Sequence, residues 1–418
     1  MRIIAAGNGS APSSAVGMRV LQLCSKPPYP PIDGGSKAMH NLTRGLLRAG
    51  HSVKVLCIST PKQPLVMADI PPDYAKATRI EGVFVDTSVN LVDAFTDLLT
   101  ADNYNISRFF SPDMDIHLIR LLSQEEFDVI QLESLFMAPY IATIRRYSKA
   151  RVVLRSHNLE YVIQERIATG ERNLFKRPYR KFLAKQLEQY EMAVLDRVDG
   201  VVAISPTDAE HFTKHGTRTP VVTVPFGVDP TDYPTDEVSL TKAPAFFHLG
   251  SMDWLPNEEG IRWLLGQVWP KVLRKCPGAQ LHLAGNKMPA DLLKRDVPGV
   301  EVKGRVKNAV SYMRKHQVMV VPLFSAGGMR VKIIEGMAMG KAVIATTIGA
   351  EGIAHKAGKN ILLADTAAEF AQHIIDLHND PERVQHIGNE AAKLIASTYS
   401  DGPIVEELTA FYKRLLKA

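Results

Sequence analysis

Cysteine is scarce in this sequence. Its 418 residues include Cys24, Cys57 and Cys276, which are widely separated. A disulfide framework requires more cysteines, and the common type of zinc site requires cysteines in closely spaced pairs. The sequence therefore excludes a disulfide-rich fold and this type of zinc site, and it indicates a reducing compartment such as the cytosol.

Long apolar runs and a large excess of one charge are also lacking. No segment approaches the roughly 18 apolar residues that a membrane-spanning helix needs, and residues 1–17 lack the apolar core of a signal peptide. The 50 Lys and Arg residues against 44 Asp and Glu give a net charge of +6. We therefore expect a cytoplasmic protein that does not bind nucleic acid, with residues 1–17 as a disordered extension.

Short apolar runs alternate with helical patterns from Met18 onward. A first series of apolar runs covers residues 19–24, 52–58, 128–132, 150–157 and 199–205. A second series covers residues 245–251, 279–285, 300–305, 318–324 and 341–347. Strands that are apolar on both faces and separated by helices are typical of parallel sheets. The pattern predicts an α/β fold with two Rossmann-like, doubly wound parallel-sheet domains.

Between the two series, proline, glycine and aspartate accumulate in residues 224–236. Periodicity is lost there, which predicts an interdomain linker. We expect an N-terminal domain over residues 18–224, a C-terminal domain over 225–398 and a helix over 399–418 that crosses back to the first domain. Parallel sheets bind ligands at the carboxyl ends of their strands, so we expect the site in the cleft between the domains.

Two glycines, Gly34 and Gly35, directly precede the first predicted helix. Glycine lets the backbone approach an anion closely, and the N–H groups at the start of a helix point toward that anion. The pair indicates a phosphate-binding loop, although an ordinary turn between a strand and a helix has the same pattern.

A histidine ends the fourth apolar run of the first series, in the sequence Arg155-Ser156-His157-Asn158. At the carboxyl end of a strand, His157 is placed to contact a substrate hydroxyl or a developing charge. A structural histidine is the alternative interpretation.

Asp113 and Asp115 have the spacing of two carboxylate ligands for a divalent cation. They follow Pro112, however, and no buried strand precedes them, which is typical of a helix start. We therefore expect no metal and no other cofactor.

Residues 320–353 contain a complete strand, Gly-Gly turn, helix and strand. Gly327 and Gly328 with the first helical N–H groups are suited to bind a phosphate. The side chains that follow suit a nucleotide, with its pyrophosphate near Arg330 and Lys332 and its ribose near Glu335. A salt-bridged surface helix is the alternative, but the helix carries few other polar residues.

A basic segment lies between the last two apolar runs of the first series. Residues 166–185 hold seven Lys and Arg side chains and one Glu, interleaved with aromatic and leucine side chains. This composition predicts docking to an anionic membrane or to a lipid-phosphate acceptor. A solvated helix face that packs on its own domain explains the composition equally well.

Taken together, these motifs resemble glycosyltransferase family 4, whose members have the GT-B fold of two domains facing a cleft. The resemblance covers nearly the whole chain from Met18 and rests on Gly34-Gly35, His157-Asn158, Ser205, VPFGVD, GSMDWLPNEEG and GGMRVKIIEGMAMGKAVIATTIGAEGI. It implies transfer of a hexose-type sugar from a nucleotide diphosphate sugar to an acceptor hydroxyl, with retention and without a protein-bound metal. The acceptor implied is a glycan or a lipid-linked molecule of cell-envelope polysaccharide or glycolipid synthesis.

The resemblance also assigns roles to residues. Glu335 corresponds to the second glutamate of a pair separated by seven residues and is expected to hold the ribose. The first glutamate of that pair falls at Gly327, so the backbone of Gly327 to Met329 is expected to contact the donor sugar instead. The usual Arg and Lys after the first strand of the second domain are not evident, and Arg330 and Lys332 are expected to replace them.

His157 is expected to contact the donor sugar, and Glu133 and Asn158 are acceptor-side candidates. Two other functions remain compatible with the sequence. An epimerase on a similar fold would convert a nucleotide sugar without an acceptor, and a nucleotide-binding partner protein would perform no transfer. A dehydrogenase is disfavoured because no G-x-G-x-x-G motif follows the first strand.

Overall fold

The protein is built on two parallel β-sheets. A computed structural model describes residues 17–86, 109–170, 173, 175–215, 217–235, 243–325 and 328–418. The strands of the first sheet are β1 (Arg19–Cys24), β2 (Ser52–Ser59), β3 (Glu81–Phe84), β4 (Val129–Glu133), β5 (Arg151–Ser156), β6 (Gly200–Ala203) and β7 (Val221–Thr223). The strands of the second sheet are β8 (Phe246–Leu249), β9 (Leu281–Ala284), β10 (Val300–Gly304), β11 (Val318–Val321), β12 (Ala342–Ala345) and β13 (Leu362–Leu363).

The strand order is the same in the central part of both sheets. The first sheet has the order β3-β2-β1-β4-β5-β6-β7, and the second has the order β10-β9-β8-β11-β12-β13. Every neighbouring pair is parallel. These sheets confirm the predicted α/β class with two Rossmann-like domains. The order reverses between β1 and β4 and between β8 and β11, and ligands bind at such reversals in open α/β sheets.

Helices connect the strands and cover both faces of each sheet. In the first half of the chain they are α1 (Gly34–Arg48), α2 (Pro72–Thr78), α3 (Pro112–Gln124), α4 (Ile141–Tyr147), α5 (Glu160–Gly170), α6 (Lys176–Leu195) and α7 (Pro206–Lys214). In the second half they are α8 (Leu255–Trp263), α9 (Trp269–Lys275), α10 (Ala290–Leu293), α11 (Ala309–Arg314), α12 (Val331–Ala338), α13 (Ala367–Asn379), α14 (Pro381–Thr398) and α15 (Asp401–Lys417).

Three strands at the sheet edges were not predicted. β3 alternates between exposed and half-buried residues, β7 is only half-buried, and β13 has two residues. Edge strands bury less apolar surface than central strands, so they lack the continuous apolar run that identifies a strand in the sequence.

The last helix packs on the first sheet although it follows the second sheet in the chain. Leu408, Phe411 and Tyr412 of α15 belong to the same buried cluster as Val20 of β1 and Val53 of β2. The helix α15 therefore covers part of one face of the first sheet.

The limits of the two domains stay a proposal. The first sheet ends with β7 and the second begins with β8, so the linker expected near residues 224–236 falls between them. Residues 236–242 and residues 1–16 of the expected extension lie outside the described residues.

Candidate active site

The loops at the two sheet reversals face each other across a narrow cleft. A Cβ atom added to Gly34 would lie 3.4 Å from Cγ2 of Val331, the first residue of α12. Gly328 has a φ of +69°, and a Cβ atom there would collide with Oδ1 of Asn158. Glycine is therefore required at position 328, whereas the contact at position 34 would be an ordinary van der Waals one. The predicted site residues Gly34, Gly328 and Asn158 thus lie on facing walls, whereas Gly327 lies outside the described residues.

The loop before α1 is capped by an acidic side chain. Asp33 accepts a hydrogen bond from the Ser36 N–H and forms a 2.6 Å ion pair with Lys26. Burial by itself would raise the pKa of Asp33, but the Lys26 ammonium lowers it below its usual value. Because the carboxylate already occupies this helix start, the phosphate-binding role of Gly34 and Gly35 stays a prediction.

Glu335 is buried on α12 and is bonded to residues from two other segments. Both of its carboxylate oxygens contact Lys37 Nζ of α1, at 2.6 and 2.8 Å. The Tyr233 hydroxyl donates a further hydrogen bond of 2.7 Å to Oε1. The expected ribose-binding carboxylate therefore also joins the two domains, and a ribose at this position has to replace or share the contact with Lys37.

The two predicted phosphate-binding cations lie at the start of α12. Arg330 directly precedes the helix, and burial lowers its pKa to about 10 while Glu351 opposes the shift. Lys332 Nζ lies 2.8 Å from Oδ1 of Asn257, and burial followed by the charge of Arg330 lowers its pKa to about 7. Two buried cations beside one helix start create a strongly positive site, which favours an anionic ligand.

Asn257 was not predicted as a site residue. Its amide donates to the Ser251 carbonyl at 2.8 Å, and this bond turns Oδ1 toward Lys332. A Cβ atom at Gly250 would lie 2.7 Å from Nδ2 of Asn257, so glycine is needed for this approach. The segment GSMDWLPNEEG therefore contributes an oxygen that positions the Lys332 cation, in place of the usual cations of the family.

Glu133 lies at the end of β4, and no part of its side chain is exposed. It contacts Arg155 at 3.2 Å and His157 Nε2 at 2.7 Å, and it accepts hydrogen bonds from Gln22 and Gln131. Burial alone would raise its pKa, but Arg155 and His157 lower it to about 2. An acceptor-side role needs an accessible carboxylate, so we correct that assignment: Glu133 positions His157.

The same contact determines the tautomer of His157. Burial lowers the pKa of His157 below its usual value, although Glu133 opposes the shift. The ring is therefore neutral at pH 7, and it donates its Nε2 proton to the ionised Glu133. The Nδ1 atom is left as a hydrogen-bond acceptor, which is the property needed to bind a sugar hydroxyl.

A cavity of about 180 Å³ lies beside these residues, between the two domains. Its walls come from α5, the start of α7, Gly328 and the turn at Glu351. Arg166 of α5 contacts both oxygens of Glu351 at 2.8 Å. A nucleotide-sized ligand usually needs at least about 300 Å³. The Lys37–Glu335 and Arg166–Glu351 ion pairs join the domains, and the arrangement with both pairs formed is here called closed.

The remaining predicted positions have structural contacts. Ser205 caps α7 by accepting from the Asp208 N–H, as predicted. Met329 is buried against the second sheet, so its side chain is unsuited to contact a sugar and only its backbone remains a candidate. Asp113 and Asp115 lie in the first turn of α3, which begins at Pro112 as predicted.

Metal-binding clusters and membrane-spanning helices are both absent from the described ranges. Residues 17–86, 109–235 and 243–418, apart from short gaps, contain no group of three His, Cys, Asp or Glu side chains arranged to hold a metal. In the same part of the chain, no helix is both long and apolar enough to span a bilayer. Metal-independent activity stays a prediction.

Two family profiles match the sequence. Residues 32–232 match "Glycosyltransferase Family 4", and residues 243–380 match "Glycosyl transferases group 1". The chain is also 21% identical over 298 residues to an uncharacterized 44.6 kDa protein in the cps region of Klebsiella pneumoniae, covering 68% of this chain and 74% of that protein.

Several solved structures share the fold. Sucrose-phosphate synthase from Thermosynechococcus elongatus aligns with a TM-score of 0.71 at 16% identity, over 96% of this chain and 99% of that chain. Anabaena HepE in complex with UDP and glucose aligns with a TM-score of 0.63 at 14% identity, over 95% and 99% of the two chains. A S. aureus TarM mutant in complex with UDP and other ligands aligns at 0.62 and 10% identity, over 94% and 99%. The fold is GT-B, and because the two profiles together span most of the sequence, the chain belongs to glycosyltransferase family 4.

Proposed function

We propose that this glycosyltransferase moves a hexose-type sugar from a nucleotide diphosphate sugar to an acceptor hydroxyl, with retention at the anomeric carbon. The start of α12 carries the proposal, because Arg330, Lys332 and Glu335 lie within two helical turns of each other at a sheet reversal. Two cations suit a pyrophosphate, and a carboxylate one turn further suits ribose hydroxyls. The complexes of HepE and TarM with UDP support this class of donor.

The acceptor in this proposal is a glycan or a lipid-linked molecule of cell-envelope polysaccharide or glycolipid synthesis. The Klebsiella relative encoded in a cps region supports this choice. The wall formed by the β4 and β5 ends and by α5 is the acceptor side, since the donor groups lie on the opposite domain. Asn158 is retained as an acceptor-side candidate there, with its amide 3.2 Å from Glu160.

The charges of the site explain how the transfer is accelerated. When the bond between the anomeric carbon and the phosphate oxygen breaks, negative charge grows on the pyrophosphate and positive charge grows on the sugar ring. Arg330, Lys332 and the N–H groups at the start of α12 are fixed in place before the reaction, so they stabilise the developing charge without reorganising. His157 Nδ1 accepts a hydrogen bond from a sugar hydroxyl and orients the ring.

Retention follows if the acceptor attacks from the face that the phosphate leaves. The acceptor oxygen bonds to the anomeric carbon, and its proton passes to the leaving phosphate oxygen. A double displacement would require a carboxylate nucleophile beside the sugar. Among the described carboxylates around the cleft, Glu133, Glu335 and Glu351 are each engaged by a cation. Asp208 also lines the cavity, and burial raises its pKa, which makes it a weaker nucleophile. The state of these four carboxylates supports the single-step route.

A donor screen followed by product analysis tests the proposal. The purified protein is incubated with UDP-, GDP- and ADP-linked hexoses in EDTA, with lipid-linked and glycan acceptors, and the products are examined by NMR. We expect release of one nucleoside diphosphate and a new glycosidic bond with the anomeric configuration of the donor.

Three other results would contradict it. A product of opposite configuration would refute retention, and conversion of a nucleotide sugar without an acceptor would indicate an epimerase. If a nucleotide sugar binds tightly but is neither transferred nor slowly hydrolysed, the protein is a nucleotide-binding partner that has lost glycosyltransferase activity.

A further inference from the structure

We propose that the exposed face of α6 docks on a membrane surface that carries anionic lipids. This face lies outside the cleft and takes no part in the transfer reaction. It carries three aromatic side chains, here called the aromatic stripe: Phe175, Tyr179 and Phe182. They are 94%, 50% and 49% exposed, which is unusual for aromatic residues of a folded domain.

The aromatic stripe lies on one face of the helix. Its spacings of four and three residues place the side chains above one another along α6. The residues of α6 that are buried occupy the opposite face; they are Ala184, Leu187, Glu191, Val194 and Leu195. The aromatic stripe therefore contributes nothing to the core of its own domain. A helix face that packs on its own domain, which was the alternative interpretation of the basic segment, does not explain why these aromatic side chains are exposed.

Cations flank the aromatic stripe on both sides. Lys176 lies on one side, and Lys181 and Lys185 lie on the other, all of them exposed; Lys185 also forms a 2.8 Å ion pair with Glu188. Residues 175–187 contain five Lys and Arg residues and no Asp or Glu. Aromatic side chains between lysines are the arrangement that inserts at the headgroup level of a bilayer, while the lysines attract anionic lipids.

A membrane explains this composition better than a protein partner. Lysine is depleted in the cores of protein interfaces, and five cations within thirteen residues would repel a second copy of the same face. A bilayer with anionic headgroups complements the charge and accepts the aromatic rings at its interface. We therefore identify the occupant as an anionic lipid surface.

The exposed face of α6 lies close to the cleft, because α6 packs against α5. α6 packs against α5 along much of its length, and Val162, Ile163 and Arg166 of α5 line the interdomain cavity. A bilayer bound to α6 would thus lie near the acceptor-side wall. If the proposed transfer is correct, this placement favours an acceptor that is anchored in the same membrane.

Vesicle binding by the full-length protein tests the proposal. Co-sedimentation is compared between vesicles of pure phosphatidylcholine and vesicles containing roughly one third phosphatidylglycerol. We expect binding only to the anionic vesicles, and weaker binding as salt is added. Each lysine near such a surface contributes about 1 kcal/mol, so K176Q/K181Q/K185Q should bind about 100-fold more weakly. The part of the binding that persists at high salt should come from the aromatic side chains, so F175S/Y179S/F182S should lose it.

A matched variant controls for charge alone. K271Q/R274Q/K275Q removes three exposed cations from α9 in the other domain, and it should bind as the unchanged protein does. All substituted residues are exposed, so the melting temperatures should agree. The proposal is overturned if the anionic vesicles are not bound, or if the control loses as much binding as the α6 variants. It is also overturned if the stripe instead forms a dimer that F175S/Y179S/F182S dissociates in sedimentation velocity.

The same proteins separate this proposal from the proposed transfer. Hydrolysis of the donor by water needs no membrane, so it should be equal in all three variants and in the unchanged protein. Vesicle binding without any turnover would support membrane docking by α6 and refute the proposed transfer. Turnover without vesicle binding would support the transfer and refute membrane docking.

Discussion

Replacing Glu335 by glutamine tests the central assignment of the site. In the closed arrangement the carboxylate accepts from Lys37 at 2.6 and 2.8 Å and from the Tyr233 hydroxyl at 2.7 Å. If ribose hydroxyls take the place of Lys37, Glu335→Gln replaces a charged acceptor by a neutral one of the same shape. A hydrogen bond to a charged group contributes about 1.5 to 3 kcal/mol. The nucleotide dissociation constant should therefore rise about 10- to 150-fold.

Lys37 provides the decisive comparison. If the Lys37–Glu335 pair only holds the domains together, removing either partner should change nucleotide affinity in the same direction. If ribose competes with Lys37 for Glu335, Lys37→Met should leave the affinity unchanged or tighten it, while Glu335→Gln weakens it. Glu351→Gln is the matched control, because it breaks the other interdomain ion pair and leaves the carboxylate of Glu335 in place.

Isothermal titration with the best-binding nucleoside diphosphate measures all three variants. Lys37 is partly exposed and can be solvated when its partner is neutral, so the melting temperature of Glu335→Gln should change little. A folded Glu335→Gln variant with the affinity of the unchanged protein would refute the assignment of α12 to the ribose. Equal weakening in all three variants would show that domain closure alone had been measured.

Further predictions concern the cations, the buried network and the metal. Lys332→Met should lower kcat by about 10- to 100-fold with a smaller effect on donor affinity, as steady-state kinetics would show, since charge grows on the phosphate as the bond breaks. Burial lowers the pKa of Lys332 to about 7, so its charge is lost as pH rises, and kcat/KM for the donor should fall above about pH 7; Lys332→Arg should abolish that limb of the pH profile. Glu133→Gln should lower the free energy of unfolding by about 3 to 5 kcal/mol in urea titrations, because buried Arg155 loses its counter-ion; a loss below about 1 kcal/mol would contradict this. EDTA should leave the transfer rate unchanged, whereas a loss that Mn²⁺ restores, and that D113N/D115N removes, would indicate a metal.

The sequence alone was sufficient for the central strands of both sheets and for several helix starts. Central strands such as β1 and β4 are apolar on both faces, so their identity follows from local composition. The helix start at Ser205 follows from a capping side chain that acts within three positions, and the start at Pro112 follows from the preference of proline for the first helical turn. The family motifs were likewise recognisable, because they consist of residues close together in the chain.

Contacts between distant segments needed the tertiary structure. Lys37 and Glu335 are separated by 298 positions, and nothing near either residue in the sequence indicates the other. Their pairing depends on how two independently formed sheets face each other across the cleft. The same holds for Arg166 and Glu351, which meet only because α5 and the turn after β12 lie on opposite walls.

Burial was the other property that only the tertiary structure decided. From the sequence, Glu133 was an acceptor-side candidate, and the structure places it against Arg155 and His157 with no exposed surface. Asn257 is uncharged, so the sequence did not indicate it as a site residue, yet its side-chain oxygen contacts the Lys332 ammonium. Local periodicity specifies which residues form an element, but the charge state and the role of a polar side chain depend on what packs around it, and that is a property of the folded chain.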